Sequence, residues 1–214
     1  MRRPLVLVLV VAAAVATVAA VVGGVLALGG SDEEEPAAPE VDAFRTTSLA
    51  RYDTTSAVVG RAPFCAAIDE RQVDAVLGSV PEPVTWANGD QLDVGAGPDV
   101  VHEFGCSYAV PEAGEARAWV FAPPVGADQA QRLVTSAGKG AGCVAADGPP
   151  FGSPTLALTC TAADGTQRAS YRGLFGDAWL VCEVTRPAGA TWDAADRAGR
   201  WCVGVLQAAS PPTT

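Results

Sequence analysis

Leu5 to Leu28 is a run of twenty-four residues without a charge, and it constrains the topology and chemistry of everything after it. A helix of that length rises about 36 Å at ~1.5 Å per residue, enough to cross the ~30 Å hydrocarbon core with some tilt. Arg2 and Arg3 precede it, and Asp32, Glu33, Glu34 and Glu35 follow. Positive charge on the N-terminal side predicts that the N-terminus is cytoplasmic and that the chain after residue 30 lies outside. A cleaved signal peptide is the competing reading, with small residues at Ala27, Gly29 and Gly30. Signal h-regions run only about 7–15 residues, so the length favours a retained single-pass anchor. A lipoprotein does not fit, because its lipid-bearing cysteine would stand at the end of the hydrophobic run and the first cysteine here is Cys65. Ala12, Ala16, Ala20 and Gly24 repeat every four residues. That spacing lets two membrane helices approach closely, although so alanine-rich a segment also produces it by chance.

The predicted compartment gives the six cysteines their meaning. Cys65, Cys106, Cys143, Cys160, Cys182 and Cys202 all follow the hydrophobic run, and an even count in an oxidising compartment reads as three disulfides. Zinc is disfavoured, since no two cysteines lie within four residues of each other and the chain has one histidine. The lack of a Cys-x-x-Cys pair likewise argues against a thiol–disulfide oxidoreductase. Six cysteines allow fifteen pairings. Cys143 with Cys160 closes a short loop, a bridge worth about 3 kcal/mol by chain entropy. Cys65 with Cys106 and Cys182 with Cys202 are favoured for the rest, with Cys65 to Cys202 as the crossed alternative.

Four segments follow from composition: cytoplasmic N-terminus and transmembrane helix over 1–30, an acidic and proline-containing linker over 31–60, a domain over 61–209, and a frayed tail over 210–214. Within the domain, Asp69 and Gln72 suggest a capping box for a short helix through Val73, Val76 and Leu77, closed by Gly78. Residues 79–99 read as a long loop rich in proline and glycine. Phe104 to Val110 and Ala116 to Ala122 alternate as a hairpin, and Asp128 is placed to cap a helix with Ala130, Leu133, Val134 and Ala137 on one stripe. Three further strands follow around Leu156–Cys160, Arg168–Arg172 and Ala178–Val184. Thr191 then caps a last helix whose inner face carries Ala195, Ala198, Cys202, Val205, Leu206 and Ala209. The order αββαβββα predicts an α+β fold: an antiparallel sheet of about five strands with helices packed on one face.

Cys65 ahead of a helix ending in Leu77-Gly78, with Gly105-Cys106-Ser107-Tyr108 opening a strand, resembles actinobacterial exported cysteine-containing domains of unknown function. These include small lipoprotein domains, and they are similar to the extracellular sensor domain of a mycobacterial serine/threonine kinase. The resemblance covers about residues 60–208. It implies an α+β fold of the PsbP-like or kinase-sensor kind, extracytoplasmic placement and no established catalysis. This chain departs from the lipoproteins in lacking the lipidated cysteine and from the kinase in lacking a kinase domain.

Charge narrows the partners. Twenty-four acidic against fourteen basic residues give a net charge of −10, and without Arg2 and Arg3 the remainder stands at −12, so nucleic acid is not an expected partner. At 49% hydrophobic and 18% charged, the chain is built to fold. No phosphate loop, dinucleotide fingerprint or metalloprotease helix is present, so no cofactor is expected. Candidate ligand contacts are Trp86, Asn88 and Asp90 in the 79–99 loop, Phe175, Asp177 and Trp179 at a strand connection, and Arg197, Arg200 and Trp201 on the last helix. An arginine packed on an aromatic face would suit a binding surface. The alternative is that the aromatics close the core and the arginines pair with carboxylates. Asn88, Asp90, Asp93 and Asp99 offer oxygen ligands, but their spacing does not match a calcium loop and ordinary turn roles suffice. His102, beside Glu103, reads as structural or pH-sensing; a catalytic role would need Ser107 within reach, and no nucleophile elbow accompanies it. The expectation is a membrane-anchored extracytoplasmic binding or sensor-like domain, not an enzyme. Its ligand, an envelope component or protein, would sit between the sheet and loop 79–99. The alternatives are a hydrolase using His102 with a carboxylate and a purely structural envelope component.

Overall fold

A computed structural model describes residues 46–93, 97–190 and 193–210. Among these, no helix is long and apolar enough to cross a membrane; the Leu5–Leu28 run lies outside the described residues. Strands β1 (Val84–Trp86), β4 (Glu103–Val110), β5 (Gly114–Phe121), β6 (Cys143–Ala145), β7 (Thr155–Thr161), β8 (Gln167–Phe175) and β9 (Ala178–Arg186) form one antiparallel sheet in the order β1-β4-β5-β9-β8-β7-β6. Strands β2 (Gln91–Asp93) and β3 (Pro98–Val100) make a separate two-stranded ribbon. Helices α1 (Glu70–Leu77), α2 (Ala127–Ala137) and α3 (Ala194–Ala209) complete the fold.

The sheet has seven strands rather than about five. The extra ones, β1 and β6, are three-residue edge strands, too short to display a period of two. The 79–99 segment is likewise not a plain loop, since it supplies β1, β2 and the start of β3. Helices cover both faces, correcting the expected one-sided arrangement. On one face, α1 and α3 pack against Cys106, Ala118, Val120, Leu180, Cys182 and Val184. On the other, Ala130 of α2, with Leu133 and Val134, meets Leu174, Trp179, Val181, Trp119 and Phe121. The cause lies in β9, where both parities are apolar over most of its length and the first seven residues are all buried, as in strands covered on two sides.

Local signals are realised with some changes of partner. Asp69 caps α1 by accepting from the Arg71 backbone N–H, and Gly78 ends it at φ 77°, a left-handed conformation that glycine takes without a Cβ penalty. Gln72 does not close a capping box; it is buried and donates its amide to the Arg200 carbonyl at 2.7 Å. Asp128 lies inside the first turn of α2, whose N-cap is Gly126. Asp193 caps α3 by accepting from Asp196 N–H at 2.9 Å; Thr191, the expected cap, lies outside the described residues. Gly176 and Asp177 form the two-residue turn between β8 and β9, with Gly176 at φ 63°, as a type II′ hairpin requires at its first central position.

The disulfides are Cys65–Cys106, Cys143–Cys160 and Cys182–Cys202, with Cα–Cα distances of 6.0, 3.9 and 5.5 Å, the favoured set rather than the crossed Cys65–Cys202 alternative. Residues 46–60 are not linker. Leu49 and Val59 are buried in the main core, Gly60 N–H donates to the Ala209 carbonyl, and Arg200 donates to the Thr46 carbonyl at 2.7 Å. Apolar residues in this stretch are too sparse to show periodicity, yet α3 needs them to cover its outer side.

Candidate functional site

The cleft of interest forms where the edge strand β1 lies across β4. Trp86 is paired with Gly105, and glycine is required there by the ring: a Cβ on Gly105 would come within 2.6 Å of Trp86 Cε2 and 2.8 Å of the Ala118 carbonyl oxygen. The indole Nε1 donates to Glu103 Oε1 at 3.0 Å, and the Arg117 guanidinium stands 5.6 Å over the ring, within cation–π reach. Burial pushes the Glu103 carboxyl above the ordinary glutamate range; the Trp86 hydrogen bond and the Arg117 charge oppose that shift.

Beside this tryptophan opens a cleft of about 520 Å³. Phe64, Ala66, Ala67 and Ala208 supply apolar walls, and Thr85 and Asp90 supply polar groups. The Cys65–Cys106 bridge ties the 3-10 turn Cys65–Ala67 to β4, so the wall carrying Ala66 and Ala67 is covalently fixed to the sheet. Asp90 accepts from the Ala87 backbone N–H at 2.7 Å, which closes the turn after β1 and presents its carboxylate to the cleft. An apolar concavity with a few placed polar groups is the usual form of a small-ligand site.

Of the expected contacts, Trp86 and Asp90 therefore meet in one place, and Asn88 sits exposed at the adjoining turn. The others go elsewhere. Trp201 is fully buried, donating its Nε1–H to the Arg117 carbonyl at 2.9 Å and meeting Tyr108 edge-on at 6.0 Å. Phe175 is buried against Phe151, and Trp179 is buried under α2. These three aromatics build the core and offer no ligand surface. Asp177 pairs with Arg61 at 3.2 Å. Arg200 pairs with Asp196 at 2.7 Å, and Arg197 donates to the Val76 carbonyl at 3.0 Å. Both arginines border a smaller cavity of about 210 Å³, and these contacts tie α3 to α1 and to the 46–60 segment.

The catalytic alternative does not assemble. His102 is exposed and precedes β4. Glu103 is engaged with Trp86, and the Ser107 hydroxyl donates to Glu115. Asp90 accepts from the Ala87 backbone N–H across the turn after β1, as ordinary turn residues do, and Asp99, in β3, accepts from the Val100 backbone N–H. Among the described residues, no group of three or more His, Cys, Asp or Glu side chains could hold a metal ion.

Sequence reasoning missed the far walls of the cleft, because Ala66, Ala67 and Ala208 carry no chemical signature. It also missed a charged constellation on the α2 side of the sheet. Glu183, buried in β9, is ringed by Arg117 at 3.8 Å, Arg168 at 3.9 Å and Arg172 at 4.0 Å. One signal was present: Arg168, Ser170 and Arg172 share a parity in a strand whose other residues are largely apolar.

No protein-family model matches the chain, and no curated protein does. Among solved structures, the chain is similar to the extracellular domain of PknH from Mycobacterium tuberculosis, with a TM-score of 0.41 and 18% identity, covering 69% of this chain and 97% of that one.

Proposed function

We propose that the chain is a membrane-anchored, extracytoplasmic binding module of sensor-like type whose ligand occupies the cleft beside Trp86. The observation that carries the reading is the make-up of that cleft: apolar walls fixed by a disulfide, one indole edge, and Thr85 and Asp90 as the polar groups. Such a lining suits a small ligand with an apolar body and one or two hydrogen-bonding groups. The uncharged Leu5–Leu28 run and the absence of cysteines outside disulfide bonds support placement beyond the reducing interior. The domain boundaries consistent with this are an anchor over 1–30, a connecting acidic segment, and a domain that starts near residue 46.

Two measurements test it. Protease added to intact spheroplasts should digest the domain without lysis; full protection until lysis would overturn the topology. For the cleft, saturation-transfer NMR of the full-length chain in non-ionic detergent, with indole as the probe, should show contact. A67W, which fills the cleft, should abolish that contact, and an unaltered transfer signal in folded A67W would overturn the site. The hydrolase reading makes the opposite demand, that H102Q remove an activity while leaving probe binding intact.

A further inference from the structure

We infer that Arg168, Ser170 and Arg172 on β8 form, with Arg117 on β5, a binding subsite for a singly charged oxyanion, a carboxylate or a phosphodiester. Its β8 part lies four strand positions from β1, about 19 Å at ~4.8 Å per strand, while Arg117 on β5 reaches back to within 5.6 Å of the Trp86 ring; the inference does not rest on the function proposed for that cleft.

Convergence is the first observation. Arg168 and Arg172 flank Ser170 on one face of β8, and Ser170 is the register partner of Glu183. Both guanidiniums reach over the small serine to the same Glu183 oxygen, at 3.9 and 4.0 Å, while Arg117 approaches the other oxygen from β5 at 3.8 Å. All three separations are beyond hydrogen-bond range, so the carboxylate balances charge without consuming donors.

The donors are the second observation. Among the described residues, none of the three guanidiniums makes a hydrogen bond to an oxygen atom: Arg117 Nε stands 3.6 Å from Glu115 Oε1, the Glu183 contacts are longer, and Arg168 reaches the Cys160 and Cys143 sulfurs at 3.6 and 3.9 Å. Arg117 Nε, Arg168 Nε, Arg172 Nε and the hydroxyl of Ser170 are buried without a hydrogen-bond partner, and Ser170 itself is 1% exposed. Buried donors are normally satisfied, so a cluster of unmet ones points to a missing acceptor. The outer ends remain reachable, with side-chain exposures of 41% for Arg168, 39% for Arg117 and 19% for Arg172.

Charge sets the ligand class. Three guanidiniums are ion-paired with two carboxylates, Glu183 shared by all three and Glu115 beside Arg117. The cluster therefore has one positive charge in excess, which one monoanionic group neutralises. Guanidinium forks match the planar or tetrahedral oxygens of such groups.

The test uses the full-length chain in non-ionic detergent at constant ionic strength, titrated calorimetrically with sodium acetate and with sodium dimethyl phosphate, each against sodium chloride. Binding of acetate alone identifies a carboxylate site, of dimethyl phosphate alone a phosphodiester site, and of both a general oxyanion site. No binding beyond chloride in either arm overturns the inference. R168Q, at the most exposed arginine, should weaken binding at least about tenfold, the loss expected for one charge-assisted hydrogen bond. R132Q, on α2, should leave it unchanged. Unaltered binding in R168Q also overturns it; should R168Q fail to fold, R117Q serves, read by the same criterion.

Discussion

Single atoms decide the cleft. Gly105 is the residue on which Trp86 rests, so G105A should displace the indole and destabilise the domain by about 1–3 kcal/mol, the usual range for overpacking. A lowered urea midpoint together with a red-shifted tryptophan emission would register both effects. Glu103, on the same strand, carries a pH signature. Burial raises its folded-state pKa above the unfolded value, so the folded state holds the proton more tightly. Its contribution favours folding below the ordinary glutamate value and is lost as pH rises through the folded pKa. Urea midpoints of wild type relative to E103Q should therefore fall as pH increases across that interval, and E103Q should be no less stable than wild type at pH 7. Neither residue was legible as a pair in the sequence, because their contact runs through Trp86, seventeen positions away from Glu103. The three partly exposed arginines around buried Glu183 were equally illegible as a group. E183Q would leave Arg168 and Arg172 without their counter-charge and should cost about 1 kcal/mol, less than a fully buried pair because the arginine ends are solvent-screened; chemical denaturation measures it.

At the scale of elements, the helices succeed where a strong face and a cap coincide. In α3 the apolar stripe through Ala198, Cys202, Val205, Leu206 and Ala209 is buried, as its helical period predicts. Its start is held by Asp193, so D193A should lower stability by about 1 kcal/mol, the typical cost of losing an N-cap. The close approach of α1 and α3 depends on Gly204: a Cβ there would meet Gln72 Cγ at 2.5 Å and Cδ at 2.8 Å. Gln72 cannot swing away without losing its bond to the Arg200 carbonyl. G204A should thus separate α1 from α3, observed as earlier hydrogen exchange in α1 than in the strands. Strands of seven or more residues, β4, β5, β7, β8 and β9, were visible in the sequence, β8 as the return from a turn and the others by their apolar pattern. The three-residue strands were not, because β1 and β6 owe their existence to neighbours that supply hydrogen bonds and not to any preference of their own.

For the whole molecule, the three bridges divide the work of holding the layers together. Cys182–Cys202 joins the central strand β9 to α3 with both residues fully buried, Cys65–Cys106 anchors the 3-10 turn Cys65–Ala67 to β4, and Cys143–Cys160 clamps the far edge. Replacing Cys182 and Cys202 by alanine should cost about 3 kcal/mol for a loop of that size, seen as a reduced guanidinium midpoint. A thiol reagent applied after denaturation without reductant should find no sulfhydryl. Order along the chain was enough to specify an antiparallel α+β fold, its main elements and the short Cys143–Cys160 bridge, because caps, periods and loop spacing act over short stretches; the other two bridges were only favoured over a crossed alternative until the fold paired them. Which face each helix covers, which aromatics vanish into the core, and how arginines from β5 and β8 gather around one carboxylate of β9 were settled only by packing. Those outcomes depend on contacts between segments as far as 154 residues apart, and a burial pattern on one strand does not name the element that buries it.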